Sequence, residues 1–361
     1  MHEHRAHRRT TRRRVTISAA FGAMVALLAT GVAIFVSPVA AAGAKGSDVA
    51  VHNVTAVSPP VAGVAYGPRP EQLLDVHLPT SRPGPFPVII YMHSGGWKAG
   101  SRAFIPDFVL QQVDRAGLAV VSIDYRLVTT APDGSFVNSF PVPDQDVDRA
   151  IRFVKAHAST WNLDPTRVLI AGASAGGHLA ALAAAAPGVF VDPTLPADLA
   201  LISPRVDGVL DFVGVSDFTT FGQAGGWAPD LMSGFLDCPA ARYELCDPAK
   251  VAAASVAPHV GDDAPPAFLA YGVQDSLVAP ATQGVPLALA WANAREVSGR
   301  TPITTQDVEL EQADCGHNVE AINLDMTAME AWIDTILANP SSTTTLARAA
   351  RGRPVTAPPL H

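Results

Sequence analysis

A serine becomes a nucleophile when a neighbouring base takes its proton and fixed donors await the negative charge that then develops. Ser174 stands in Gly172-Ala173-Ser174-Ala175-Gly176, between the apolar run Val168-Leu169-Ile170-Ala171 and a stretch rich in Ala and Leu. Small residues two places before and two after the serine let a strand and a helix approach closely. The serine backbone is then held in a strained turn with its hydroxyl at the tip. The helix that follows points its positive N-terminal end at that hydroxyl. A second run, Tyr91-Met92-His93-Ser94-Gly95-Gly96-Trp97, also follows an apolar segment. Its glycines leave backbone amides unobstructed, so Gly95, Gly96 and the amide of Ala175 are the expected oxyanion donors.

The base and its orienting acid must come from elsewhere in the chain. Asp275 follows Ala267-Phe268-Leu269-Ala270-Tyr271 and precedes an apolar exit ending at Pro280, the pattern of an acid in the loop after a strand. Asp262, Asp263 and Asp314 read as turn formers. His317, in Asp314-Cys315-Gly316-His317, lies between a strand candidate and the last helix. Among the 11 histidines, His178 and His259 read as packing or capping residues and His93 as a brace for its own loop. The expected chemistry is acyl transfer: His317 takes the Ser174 proton, Asp275 fixes the imidazole, and the three amides receive the oxyanion.

These residues need a frame that brings their segments to one edge. From residue 73 onward short β-rich runs alternate with longer helical patterns, the signature of parallel strands joined by helical crossovers. Strands are expected at residues 73–78, 87–92, 119–124, 167–171, 208–213, 267–271 and 304–310. Helices are expected at 106–115, 143–158, 175–185, 282–297 and 319–338. Several strand runs are apolar throughout, as befits strands covered on both faces. Residues 217–257, rich in Gly, Pro and aromatics, read as a cap-like excursion over the carboxyl edge of the sheet, where α/β proteins bind ligands. Trp97, Phe218, Phe221 and Trp227 are apolar candidates for its pocket, with the core as their alternative home.

The two glycine-bearing runs, together with Val120-Val121-Ser122-Ile123-Asp124-Tyr125-Arg126, Asp144-Gln145-Asp146-Val147-Asp148 and Asp164-Pro165-Thr166-Arg167, resemble the hormone-sensitive-lipase-like and feruloyl-esterase-like carboxylesterases of the α/β-hydrolase superfamily. The likeness runs from about residue 73 to about residue 337. It implies an α/β-hydrolase fold with a mostly parallel eight-stranded sheet, a triad in the chain order Ser, Asp, His, and an oxyanion hole at the His-Gly-Gly-type turn. It also implies ester substrates and no cofactor. Two positions depart from the family: Ser94 stands where its first Gly usually is, and Ala173 where an acidic residue often precedes the nucleophile.

Composition sets the surroundings. The 361 residues, 48% hydrophobic and 16% charged, suit a globular domain, read here as 45–339 with a disordered tail at 340–361. The first 14 residues hold six Arg and one Glu, and residues 15–44 carry no charge. That leader reads either as a signal peptide cut near Ala42 or Ala44, or as an anchor spanning a membrane through residues 15–36. Either way the body is secreted or otherwise extracytoplasmic. With the leader's positive charge set apart from a chain total of −8, the body is acidic, which excludes nucleic acid as a natural partner. Cys238 and Cys246 are spaced either to close a small disulfide loop or to remain separate thiols, and Cys315 is left over. No Cys/His set has zinc spacing, so no metal is expected. Three other readings stay open: a peptidase or an acyltransferase on the same machinery, or an inactive hydrolase scaffold that only binds.

Overall fold

The computed structural model describes residues 36–38, 59–239, 242–297, 308–313, 316–317 and 326–338. Its strands are β1 (Val36–Pro38), β2 (Val61–Ala65), β3 (Leu73–His77), β4 (Phe86–Met92), β5 (Ala119–Ile123), β6 (Thr129–Thr130), β7 (Phe136–Val137), β8 (Leu163–Ala173), β9 (Gly208–Phe212), β10 (Ala267–Gly272) and β11 (Val308–Ala313). Its α-helices are α1 (Asp107–Leu110), α2 (Gln112–Arg115), α3 (Val142–Ala156), α4 (Ala175–Ala185), α5 (Ala197–Ala200), α6 (Phe218–Phe221), α7 (Ala228–Leu236), α8 (Pro248–Ala254), α9 (Gly284–Val297) and α10 (Met326–Ala338).

Nine strands form one sheet in the order β1-β11-β10-β9-β8-β4-β5-β3-β2, and β6 and β7 pair as a separate hairpin. Pairing is parallel from β1 through β5 and antiparallel for β5 with β3 and β3 with β2. This is the α/β-hydrolase fold, with one strand more than the eight that the resemblance implied. The extra strand is β1, a three-residue edge beside β11. Apart from it, the leader read as a signal or anchor lies outside the described residues, as does the tail at 340–361. Among the described residues no helix is long and apolar enough to cross a membrane.

Both faces of the sheet are covered, which explains why the central strands lack polar alternation. On β4, Val88, Ile90 and Met92 join the core under α3, α4 and α9, while Ile89 and Tyr91 join the opposite core with Val109, Val113, Trp332 and Ile336. Each such aliphatic side chain contributes roughly 1.5–3 kcal/mol by leaving water. The chain runs outward to one side after β4 and to the other after β8, yet β4 and β8 are neighbours. A crevice therefore opens at their carboxyl ends. Met92 pairs with Gly172, so the turn after β4 and the turn after β8 start at the same level.

The expected elements recur with shifted ends: β8 starts at Leu163, the segment 106–115 breaks at Gln111 into α1 and α2, and the last helix is described from Met326. Residues 304–307 and 319–325 lie outside the described residues. Strand β2 and the β6–β7 hairpin were not expected.

Candidate active site

Strand β8 is buried from Val168 to its end at Ala173, and α4 begins at the next residue but one. Between them Ser174 takes φ 54° and ψ −117°, a conformation that side chains with a Cβ seldom adopt. The strain is held by bonds on both sides: the Ser174 amide donates to the Phe212 carbonyl at 2.8 Å, and its own carbonyl accepts from His178 N at 3.0 Å. Close approach explains Gly176 as well. A Cβ there would overlap the carbonyl oxygens of Met92 and His93, so only glycine lets the first turn of α4 sit against the end of β4.

Ser174 Oγ lies 2.9 Å from His317 Nε2, and His317 Nδ1 lies 2.7 Å from Asp275 Oδ2. A carboxylate can only accept, so the Nδ1 proton points at Asp275 and Nε2 is left to accept from the serine hydroxyl. Asp275 comes from the loop after β10, and its side chain is fully buried. Its second oxygen accepts from Leu277 N at 2.9 Å and Val278 N at 2.8 Å, so among the described residues backbone amides rather than a Lys or Arg hold the carboxylate. Three segments far apart in the chain thus meet in a single series of hydrogen bonds.

Beside the serine, the turn after β4 carries three consecutive residues in left-handed conformations: Gly95 (φ 125°), Gly96 (φ 58°) and Trp97 (φ 60°). Ser94, which stands where the family usually has its first Gly, needs no such angle, so a residue with a Cβ is accommodated there. The Gly95 carbonyl accepts from Lys98 N and Ala99 N, closing the turn. Among the described residues, the amides of Gly95, Gly96 and Ala175 donate to no other group. His93 braces this turn, its Nδ1 bonded to the Ser94 carbonyl at 2.7 Å and its ring stacked on Tyr125 at 4.3 Å.

The excursion at 217–257 packs on the same turn through α6 and α7. Leu231 on α7 closes on Gly96 so tightly that a Cβ there would meet its side chain at 2.6 Å. Trp97 stacks on Phe235 at 4.3 Å, and its Nε1 donates to His178 Nδ1 at 3.3 Å while His178 Nε2 donates to the Ala254 carbonyl at 2.9 Å. His178 is therefore a packing residue, and burial pushes its pKa down to about 4. His259 bonds the Ala253 carbonyl. Of the four aromatic pocket candidates, Trp97, Phe218 and Phe221 belong to the core, where they pack on one another in tilted and edge-to-face pairs. Trp227 alone is exposed, at 76%. Cys238 and Cys246 form a disulfide. Cys315 and Asp314 lie outside the described residues.

Sequence reasoning overlooked Asp211 and Tyr271. Both are fully buried behind Ser174, on β9 and β10, and they bond to each other at 2.9 Å. A lone Asp inside an apolar strand run was the available signal. Asp146, fully buried, and Arg126, half-buried, by contrast form an ion pair at 2.7 Å that ties α3 to the segment after β5. Among the described residues no cluster of His, Cys, Asp and Glu is arranged to hold a metal.

Comparison with known proteins bears on the family and the fold. The family model described as BD-FAE matches residues 74–290. A probable carboxylic ester hydrolase, LipM, of Mycobacterium tuberculosis is 32% identical over 195 residues, covering 54% of this chain and 42% of LipM. Esterase LipQ of the same organism is 30% identical over 240 residues, covering 65% of this chain and 54% of LipQ. The chain thus spans about half the length of these relatives. A truncated carbohydrate esterase from gut microbiota shares the fold, with a TM-score of 0.63 at 23% identity over 78% of this chain and 97% of that one.

Proposed function

Because the chain belongs to the BD-FAE family, we propose that it is an exported serine carboxylesterase that hydrolyses small carboxylic esters through an acyl-enzyme. The observation that carries this reading is the continuous series Ser174 Oγ, His317 Nε2, His317 Nδ1, Asp275 Oδ2, with hydrogen bonds of 2.9 and 2.7 Å. His317 takes the hydroxyl proton as Ser174 Oγ attacks the ester carbonyl carbon, and Asp275 stabilises the imidazolium so formed. The carbonyl oxygen, now negative, turns to the unengaged amides of Gly95, Gly96 and Ala175, each worth roughly 10²–10³ in rate. Collapse expels the alcohol, which receives the proton from His317. Water then attacks the acyl-enzyme by the same route and regenerates Ser174. No cofactor is needed for any step.

Relatives named as esterases, LipM and LipQ, support ester substrates. The disulfide between Cys238 and Cys246 supports delivery to an oxidising compartment, with the basic and apolar leader as signal or anchor. A series of p-nitrophenyl esters of increasing acyl length, run beside aminoacyl anilides, tests the reading. Turnover of short esters that disappears in Ser174→Ala is the expected result. Preferential cleavage of the anilides would instead make the protein a peptidase, and ester turnover surviving in Ser174→Ala would remove the proposed nucleophile.

A further inference from the structure

Behind the nucleophile, β9 ends in a turn that carries its own strain. Val213 is β-branched yet takes φ 50°, and a β-branched residue adopts that angle only where surrounding bonds impose it. The bonds are visible. The Val213 amide donates to the Ala270 carbonyl at 2.8 Å, and the Phe212 carbonyl accepts from Ser174 N at 2.8 Å. Asp211 pairs with Gly172 across the sheet, two residues before the nucleophile. Its Oδ1 accepts from Gly214 N at 2.8 Å, and its Oδ2 lies 2.9 Å from Tyr271 Oη. The same Tyr271 hydroxyl lies 2.9 Å from the Gly214 carbonyl oxygen.

Counting protons decides what this arrangement is. A phenol has one proton to give, and both the Gly214 carbonyl and an ionised carboxylate can only accept. With Asp211 ionised, the single phenol proton would have to be shared between the two oxygens, and each bond would be weaker for it. With a proton on Asp211 Oδ2, that proton goes to Tyr271 Oη, the phenol proton goes to the Gly214 carbonyl, and every group is satisfied. We propose that Asp211 is a positioning residue that acts as a neutral acid, clamping the 212–214 turn through Tyr271 and so fixing the backbone against which Ser174 is held. Ionisation of Asp211 frees the Gly214 carbonyl and loosens the clamp.

The surroundings agree. Burial pushes the Asp211 carboxyl up to about 7, and the groups acting against that rise are only the Tyr271 hydroxyl and the Gly214 amide. On α4, which covers Asp211 at Gly177, the titratable neighbour is His178, held neutral by burial. On β10 it is Tyr271, whose own ionisation burial and Asp211 oppose, and beyond β10 it is Asp275, which opposes it too. None of these supplies a positive charge to hold an aspartate.

The inference rests on the esterase reading, and two measurements keep the two apart. Infrared difference spectra of the full chain between acid and alkaline pH report the carboxyl directly, without turnover. The account expects a protonated-carboxyl band that titrates near neutrality and is missing from Asp211→Asn. Asp144, buried and with its carboxyl pKa also raised, gives a second band that stays. The kcat–pH profile with p-nitrophenyl acetate then reads the clamp, each protein against its own neutral value. Wild type should lose on the order of threefold or more of kcat over the two pH units above neutrality, with KM steady. Asp211→Asn, whose amide donates permanently to Tyr271, should stay flat there. Tyr271→Phe, which cannot reach the Gly214 carbonyl, should lose about tenfold in kcat at every pH. Matching alkaline limbs in wild type and Asp211→Asn, or spectra in which no carboxyl band depends on Asp211, would overturn the inference. Absence of any ester turnover beside a normal Asp211 band would strike only the esterase reading.

Discussion

At the scale of single residues, Asp275 shows how backbone amides can hold and aim a carboxylate. Two backbone amides take one oxygen and His317 takes the other, so the acid is oriented as well as satisfied. Asp275→Asn preserves shape but offers His317 a donor where it needs an acceptor, which favours the wrong tautomer. A fall in kcat of about 10⁴ is expected, with the protein still folded and KM little changed. Steady-state kinetics beside circular dichroism will check this, and a loss below about tenfold would mean that another group orients the base.

The elements position these residues by close approach, and their tolerance is small. Gly176 lets α4 touch the end of β4, so Gly176→Val must push the helix away from the β4 turn. Overpacking of this kind costs typically about 1–3 kcal/mol, and esterase activity should fall further than thermal stability does, because Ser174 moves with the helix. In the excursion, replacing Cys238 and Cys246 by serine removes a short closed loop and should cost about 2–3 kcal/mol in urea unfolding. Much of this frame is legible in the chain itself. The apolar runs of β4 and β8 declare strands buried on both faces, and Gly172, Ser174 and Gly176 declare the turn between strand and helix. Asp275 and His317 are legible through their places after strands. The aromatic residues are less so: Trp97, Phe218 and Phe221 read as pocket candidates with the core as the commoner home for such residues, and only their packing on one another decides for the core. Asp211 and Tyr271 escape for a similar reason, since their partnership joins separate strands and leaves no spacing to read. Strand β2, short and mostly exposed, lacks the alternation that would announce it.

For the whole molecule, buried titratable groups set opposing pH dependences. Asp211, raised from 3.8 to about 7, binds its proton more tightly when folded. Its contribution to stability is complete below 3.8 and drains away as pH rises through about 7. His178, lowered from 6.5 to about 4, contributes fully above 6.5 and loses that contribution as pH falls through about 4. The two nearly offset each other across the same window, so each single substitution should expose the other. Relative to wild type, the Tm of Asp211→Asn should climb with pH between about 4 and 7, and that of His178→Gln should fall over the same range. Parallel Tm profiles for all three proteins would contradict both assignments. The central claim is that distant segments of one chain build a single acylating unit, and mapping a fluorophosphonate adduct by mass spectrometry tests it most directly. The account predicts one adduct, on the peptide carrying Ser174, formed at least about 10³-fold more slowly in His317→Ala. An adduct on another serine, or equal labelling rates with and without the His317 imidazole, would contradict it.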